Sequence, residues 1–127
     1  MPQLSLEGLR ILDLTQVAVG PYATLLLGFM GAEVIKIEHG AGDRYRHSWL
    51  PPDVKRDGYE FIAVNSNKKG ILLNLKEERG KDLFRQLVCK SDIVVENFTT
   101  GVMDRLGLGY EALRELKPAI IYACSRG

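Results

Sequence analysis

The chain has 127 residues, enough for one domain with a buried core, and 46% of them are hydrophobic. The formal net charge of +1, from 17 basic and 16 acidic residues, argues against general nucleic-acid binding. Basic residues outnumber acidic ones only from Asn65 onward, which indicates local affinity for anions.

The first part of the chain predicts two strands joined by a helix. Residues 9–14 and 33–38 are short apolar runs without alternation, as in a parallel sheet that is covered on both faces. Between them, Pro21 suits the first position of a helix and Gly31 the residue after its end. One stripe of this helix is formed by Tyr22, Leu25, Leu26 and Phe29.

Residues 39–70 interrupt the pattern with GAGD, the aromatic and basic RYRHSW, a double proline, and RDG before FIAVN. Connections of this length are usually functional or disordered.

The remainder predicts three more strands, over residues 71–75, 92–96 and 119–124, separated by helices. Apolar residues recur at helical spacing within 77–90. Thr100 suits the cap of a short helix that Gly107 ends, and Pro118 ends another over 110–117. Strand and helix therefore alternate, which predicts an α/β layered domain with right-handed crossovers.

The N-terminus, MPQLSLEG, lacks a basic segment followed by an apolar one, so no secretory signal is apparent. The most apolar stretch, residues 17–30, is shorter than the about 20 residues that span a bilayer. Cys89 and Cys124 lie in apolar patterns without a second cysteine or histidine at metal-ligand spacing, so we expect buried, reduced thiols and no metal site. We expect a cytoplasmic or organelle-matrix location and no membrane partner.

Ligands of open parallel sheets bind outside the carboxyl ends of the strands. Four stretches lie there: TQVAVGP, IEHGAGDR, NLKEE and ENFTTG. Cations near this edge would suit phosphates, although a solvated basic face is the alternative. These cations are Lys68, Lys69, Lys76 and Arg105. Asn97 and Phe98 can hold a base or a pantetheine amide, or Phe98 can belong to the core.

The turn TQVAVGP has one glycine and lacks the G-x-G-x-x-G of dinucleotide sites. This disfavours a nicotinamide dinucleotide, even though Glu38 lies where such enzymes keep a ribose-binding acid. His39 and His47 have no matching nucleophile motif, and Asp13 and Asp43 are better explained as structural than as catalytic.

Several segments together closely resemble the start of class III CoA-transferases, also called the CaiB/BaiF type. They are LEGLRILDLTQVAVGPYATLLLGFMGAEVIKIE, GDRYR, NSNKKGILLNLK, KSD, IVVENFTTGVMDRLGLGYEAL and KPAIIYACSRG. The family includes formyl-CoA transferase and carnitine CoA-transferase and is similar to α-methylacyl-CoA racemase. The resemblance implies a Rossmann-like parallel sheet flanked by helices that binds coenzyme A (CoA).

The resemblance also implies the CoA contacts. They are Val17, Ala18 and Val19 after the first strand, His39 after the second, Leu73, Asn74, Leu75 and Lys76 after the third, Asn97, Phe98 and Thr99 after the fourth, and Arg105. Gln16 stands near the thioester, where relatives often have histidine or arginine, and His39 replaces an arginine. Lys68 and Lys69 are candidates to compensate for that lost charge.

In the resembled family an aspartate attacks the acyl-CoA thioester, and the acyl group passes through a mixed anhydride while CoA forms a thioester with the enzyme. That aspartate lies beyond the counterpart of Gly127, so this chain holds no catalytic residue and is expected to be inactive alone. Residues 1–127 would be the N-terminal CoA-binding domain of a longer protein that forms interlocked homodimers. Its substrates would be a CoA thioester and a carboxylic acid, without a permanently bound cofactor.

Three alternatives stay open at this point. One is an acyl-CoA racemase of the same superfamily, which would use bases instead of a nucleophile. The others are a non-catalytic CoA-binding module and an ordinary nucleotide-binding domain.

Overall fold

Five parallel strands form one sheet in the computed structural model, which describes residues 3–126. The strands are β1 (Arg10–Asp13), β2 (Glu33–Glu38), β3 (Lys69–Leu72), β4 (Ile93–Glu96) and β5 (Ile121–Cys124). Their order across the sheet is β3-β2-β1-β4-β5, and every neighbouring pair is parallel. Strands β2 and β3 are added on one side of β1 and strands β4 and β5 on the other, so the order reverses between β1 and β4, as in doubly wound nucleotide-binding folds. The prediction of a Rossmann-like α/β sheet is confirmed.

Within residues 3–126, five α-helices accompany the strands. They are α1 (Val19–Phe29), α2 (Tyr59–Asn65), α3 (Glu78–Cys89), α4 (Val102–Arg105) and α5 (Tyr110–Leu116). A 3₁₀ turn covers Arg44–Arg46. This turn and α2 lie within the long connection, where the sequence predicted no helix, because seven residues are too few to show a helical period.

The third strand differs from its prediction over residues 71–75, because it begins and ends earlier, at Lys69 and Leu72. Its register explains the difference: Lys69 pairs with Ile35, and Leu72 pairs with Glu38, the last residue of β2. Since β2 ends at Glu38, the residues after Leu72 have no residue of β2 left to pair with. Residues 74–76 consequently form a loop at the carboxyl edge of the sheet.

The sheet carries unequal apolar cores on its two faces. The larger core joins the sheet to α3, α4 and α5, through Leu12, Leu14, Val94, Phe84, Val88, Met103 and Leu113. The smaller core lies on the α1 face and contains Ile11, Ala32, Val34 and Val95. Side chains alternate along a strand, so Asp13 and Lys36 share this second face, where both are fully or almost fully buried.

Helix α1 packs against the sheet through small side chains and Leu25, and the other residues of its apolar stripe are exposed. The buried residues are Gly20, Pro21, Thr24 and Leu25. Three of the four stripe residues are exposed, namely Tyr22, Leu26 and Phe29. A Cβ atom at Gly20 would lie 2.5 Å from the Cβ of Thr15. The one glycine of TQVAVGP therefore permits close contact between the helix and the end of β1.

Replacing Gly20 with alanine is expected to destabilise the fold by about 1–3 kcal/mol, because overpacking against Thr15 outweighs the better helix propensity of alanine. Urea unfolding measures the loss. Gly70→Ala is the matched control, since a Cβ there meets no atom within 4 Å. Equal stability of both variants would contradict the close packing of α1.

Both cysteines are exposed free thiols, which corrects the expectation that they are buried. Cys89 follows the buried Val88 by one residue and so lies on another side of α3. Cys124 lies on β5, which has a neighbour on one side only. Within residues 3–126, no helix is long and apolar enough to cross a bilayer.

Candidate functional site

The carboxyl ends of β1 and β4 open into a cleft of about 560 Å³, which we call the amide cleft. Its walls are Gln16, Val17, Ala18, Val19, Asn97, Phe98, Thr99, Thr100, Ser125 and Arg126. The cleft lies where the strand order reverses, which is the usual ligand position of open α/β sheets. The first N–H groups of α1 have no partner within their own helix and are available to a ligand.

One side chain ties together two of the turns that border the amide cleft. Asn97 accepts a hydrogen bond from the Gln16 amide at 2.9 Å and donates one to the Gln16 carbonyl at 2.8 Å. These two bonds join the turns that follow β1 and β4. Gln16, predicted near the thioester, thus has its backbone fixed at the floor between the turns.

A second cleft of about 510 Å³, the ring slot, lies beside the first and shares Phe98 with it. Its walls are His39, Gly40, Asn74, Leu75, Lys76, Phe98, Val102 and Leu106. The His39 and Phe98 rings stack with centroids 6.4 Å apart and planes inclined by 26°. Lys76 is exposed at this slot and makes no salt bridge with the residues that the structure describes.

The two clefts bring together most of the residues that the sequence predicted, but Leu73 and Arg105 line neither. Leu73 lines a separate hollow against α3. Arg105 is exposed on α4, and its guanidinium lies near Gly101. The assignment of all twelve predicted residues as CoA contacts, whether or not they line a cleft, stays a prediction.

Lys68 and Lys69 do not contribute cations to this edge of the sheet, contrary to expectation. The Lys68 ammonium is buried in a 2.8 Å ion pair with Asp13, and burial lowers the pKa of this lysine. Lys69 starts β3 and pairs with Glu33, the first residue of β2, at the opposite edge. Both lysines are paired with carboxylates, so the expectation that they supply a free cation near His39 is not supported.

The carboxylate of Glu38 is hydrogen-bonded to other residues of the protein, so it is not free to bind a ribose. Both its carboxylate oxygens accept hydrogen bonds from Arg46, at 2.8 and 2.6 Å, and the amide of Asp43 donates a third. Burial opposes ionisation, but these donors prevail and hold the pKa of Glu38 below its usual value. The Arg46 guanidinium also stacks 3.8 Å from the centre of the Phe61 ring. This arrangement anchors the long connection to β2.

Arg126 is a cleft residue that the sequence analysis missed. Its guanidinium lies 3.0 Å from the buried Glu96 at the end of β4. The other Glu96 oxygen accepts from the Phe98 amide at 2.7 Å. The rule that carboxyl ends of parallel strands share one edge would have found Arg126, because it follows β5 by two residues.

The model of the family described as CoA-transferase family III matches residues 6–127. The chain belongs to CoA-transferase family III. This membership confirms the resemblance stated above.

Known members of the family are similar over nearly the whole chain. Succinyl-CoA:glutarate CoA-transferase of Mus musculus is 49% identical over 96% of this chain and 28% of its own length. Formyl-CoA:oxalate CoA-transferase of Streptomyces avermitilis is 44% identical over 97% of this chain and 30% of its own. A crystal structure of a CaiB/BaiF family protein from Brucella suis superposes with a TM-score of 0.88 at 38% identity, covering 97% of this chain and 33% of that one. The chain thus spans about a third of the length of these relatives.

Proposed function

We propose that this chain binds the CoA portion of a CoA thioester across the amide cleft and the ring slot. The observation that carries the proposal is the pair of adjoining clefts, which share Phe98 and differ in chemistry. CoA itself joins two chemically different parts, an adenosine with phosphates and a pantetheine chain with two amides.

The ring slot suits the adenosine end. The stacked rings of His39 and Phe98 offer an aromatic surface to a base, and Lys76 offers a cation to a phosphate.

The amide cleft suits the pantetheine arm. Backbone groups of Ala18 and Val19 at the start of α1, with the side chains of Gln16 and Thr99, give polar partners to the two pantetheine amides. In the proposed binding mode the thioester lies toward Gln16, away from the adenosine.

We further propose that the longer protein transfers CoA between an acyl-CoA and a carboxylic acid. The CoA-transferase activities of the similar proteins support this reaction class. An aspartate carboxylate outside this chain would attack the thioester carbonyl, so that a mixed anhydride forms and the C–S bond breaks to release the CoA thiolate. The residues described here hold CoA during these steps.

Isothermal calorimetry and thermal unfolding with CoA and with NAD test the binding proposal. CoA at about 100 times its dissociation constant is expected to stabilise the protein by roughly 2.7 kcal/mol. NAD is expected to have no comparable effect, because Glu38 is already bound to Arg46. A folded protein that millimolar CoA does not stabilise, or that NAD stabilises equally, would contradict the proposal.

A further inference from the structure

Four charged side chains are buried together beneath the turn that follows β1. They form two ion pairs, Lys68 with Asp13 at 2.8 Å and Lys36 with Asp43 at 3.0 Å. Every one of these side chains is at most 2% exposed. Burying charges costs free energy unless they are well paired and hydrogen-bonded, so a fold that needed only a core would place apolar residues here.

Asp43 contacts the turn directly. Its carboxylate accepts from the backbone amide of Val17 at 3.2 and 3.3 Å, and Lys36 donates to the Thr15 carbonyl at 2.7 Å as well as to Asp43. The Asp43 carboxylate also accepts from the amide of Tyr45, which fixes its own loop.

Val17 has a backbone conformation that a β-branched residue rarely adopts. Its φ is 72°, in the left-handed region, which costs about 1–3 kcal/mol at a residue other than glycine. Such strain persists only where surrounding contacts impose it, and the bond to Asp43 is the contact on the strained residue itself. Val17 directly precedes Ala18 and Val19 in the wall of the amide cleft.

We infer that Asp43 is a positioning residue for CoA, an inference that rests on the proposed CoA site. By holding the strained Val17 amide, with Lys36 as its counter-ion, Asp43 keeps the backbone of Ala18 and Val19 where the pantetheine arm contacts it. Asp43 lies beneath the turn and reaches CoA only through Val17. The long connection therefore shapes the cleft from below.

The test uses the double variant Lys36→Met, Asp43→Ala, which removes the anchor without leaving a buried charge unpaired. Calorimetry measures the affinity for CoA and for adenosine 3′,5′-bisphosphate, the fragment that the ring slot takes. The affinity for CoA is expected to fall about tenfold or more, while that for the bisphosphate changes less than about twofold. The control Asp57→Ala removes a carboxylate of the same connection that pairs with Arg46, and it is expected to leave both affinities unchanged.

The possible outcomes test the positioning role of Asp43 and the CoA site separately. Unchanged CoA affinity in the double variant, or equal losses for both ligands, would overturn the positioning role while leaving the CoA site intact. A wild-type protein that binds no CoA would overturn the proposed function and this inference together.

If circular dichroism shows that the double variant does not fold, NMR on the wild-type protein tests the positioning role of Asp43 instead. The Val17 amide is expected to be protected from hydrogen exchange. The Ala18 and Val19 amides are expected to shift with CoA and not with the bisphosphate. A freely exchanging Val17 amide, or Ala18 and Val19 amides that respond equally to both ligands, would overturn the inference.

Discussion

Replacing Lys68 with methionine is expected to destabilise the protein by about 3–5 kcal/mol, as is usual when one partner of a buried ion pair is removed. The lysine ammonium is 1% exposed, and besides Asp13 it donates to the Pro21 carbonyl and to Asn65. Its loss leaves the buried Asp13 carboxylate with neutral donors, namely the amide and hydroxyl of Thr15 and the hydroxyl of Thr24. Urea unfolding, followed by circular dichroism, gives the free energy of unfolding.

Lys69→Met is the matched control, because Lys69 is the next residue and its side chain is 72% exposed. A surface ion pair contributes about 0–1 kcal/mol, so we expect this variant to remain close to the wild-type protein. Adding Asp13→Asn to Lys68→Met should recover part of the stability, and the double-mutant cycle gives the coupling energy. Similar, small losses for Lys68→Met and Lys69→Met would show that the buried pair does not support the fold.

Replacing Lys76 with alanine is expected to weaken CoA binding by roughly tenfold to a hundredfold, which corresponds to one lost hydrogen bond between charged groups of about 1.5–3 kcal/mol. Lys76 lines the ring slot, where its ammonium is free to meet a phosphate. Calorimetry at two salt concentrations checks this, since screening should weaken the binding of CoA less in the variant than in the wild-type protein.

Lys69→Ala provides the comparison for Lys76→Ala, because the two lysines flank the same strand at opposite ends. Lys69 pairs with Glu33 away from the clefts, so its loss is expected to leave CoA affinity unchanged. Equal effects of the two substitutions would indicate general attraction of CoA by a basic surface. No effect of Lys76→Ala would remove the ring slot as a phosphate site.

Neither cleft is lined by a glycine-rich phosphate loop within residues 3–126. Gly20 is used for packing against Thr15, and the turn before it is shaped by the left-handed Val17. The turn therefore provides a backbone wall at the switch point without a G-x-G-x-x-G sequence.

The sequence by itself determined the order in which strands and crossover helices follow along the chain. It also determined which turns meet at the carboxyl edge of the sheet. Short apolar runs and helical periods are local signals, and parallel pairing then requires all strand ends to lie at one edge. For this reason the sequence, helped by its likeness to the family, could place Gln16, Asn97 and Lys76 at this edge, where each of them lines a cleft.

Only the tertiary structure decided which charges are free and which are used by the fold. Lys68 and Lys76 look equivalent in the sequence, yet one is buried against Asp13 and the other lines a cleft. The same holds for Asp43, whose bond to Val17 spans 26 positions of the chain. Ion pairing and burial depend on residues that are distant in sequence and become neighbours only when the sheet forms, so no local pattern encodes them.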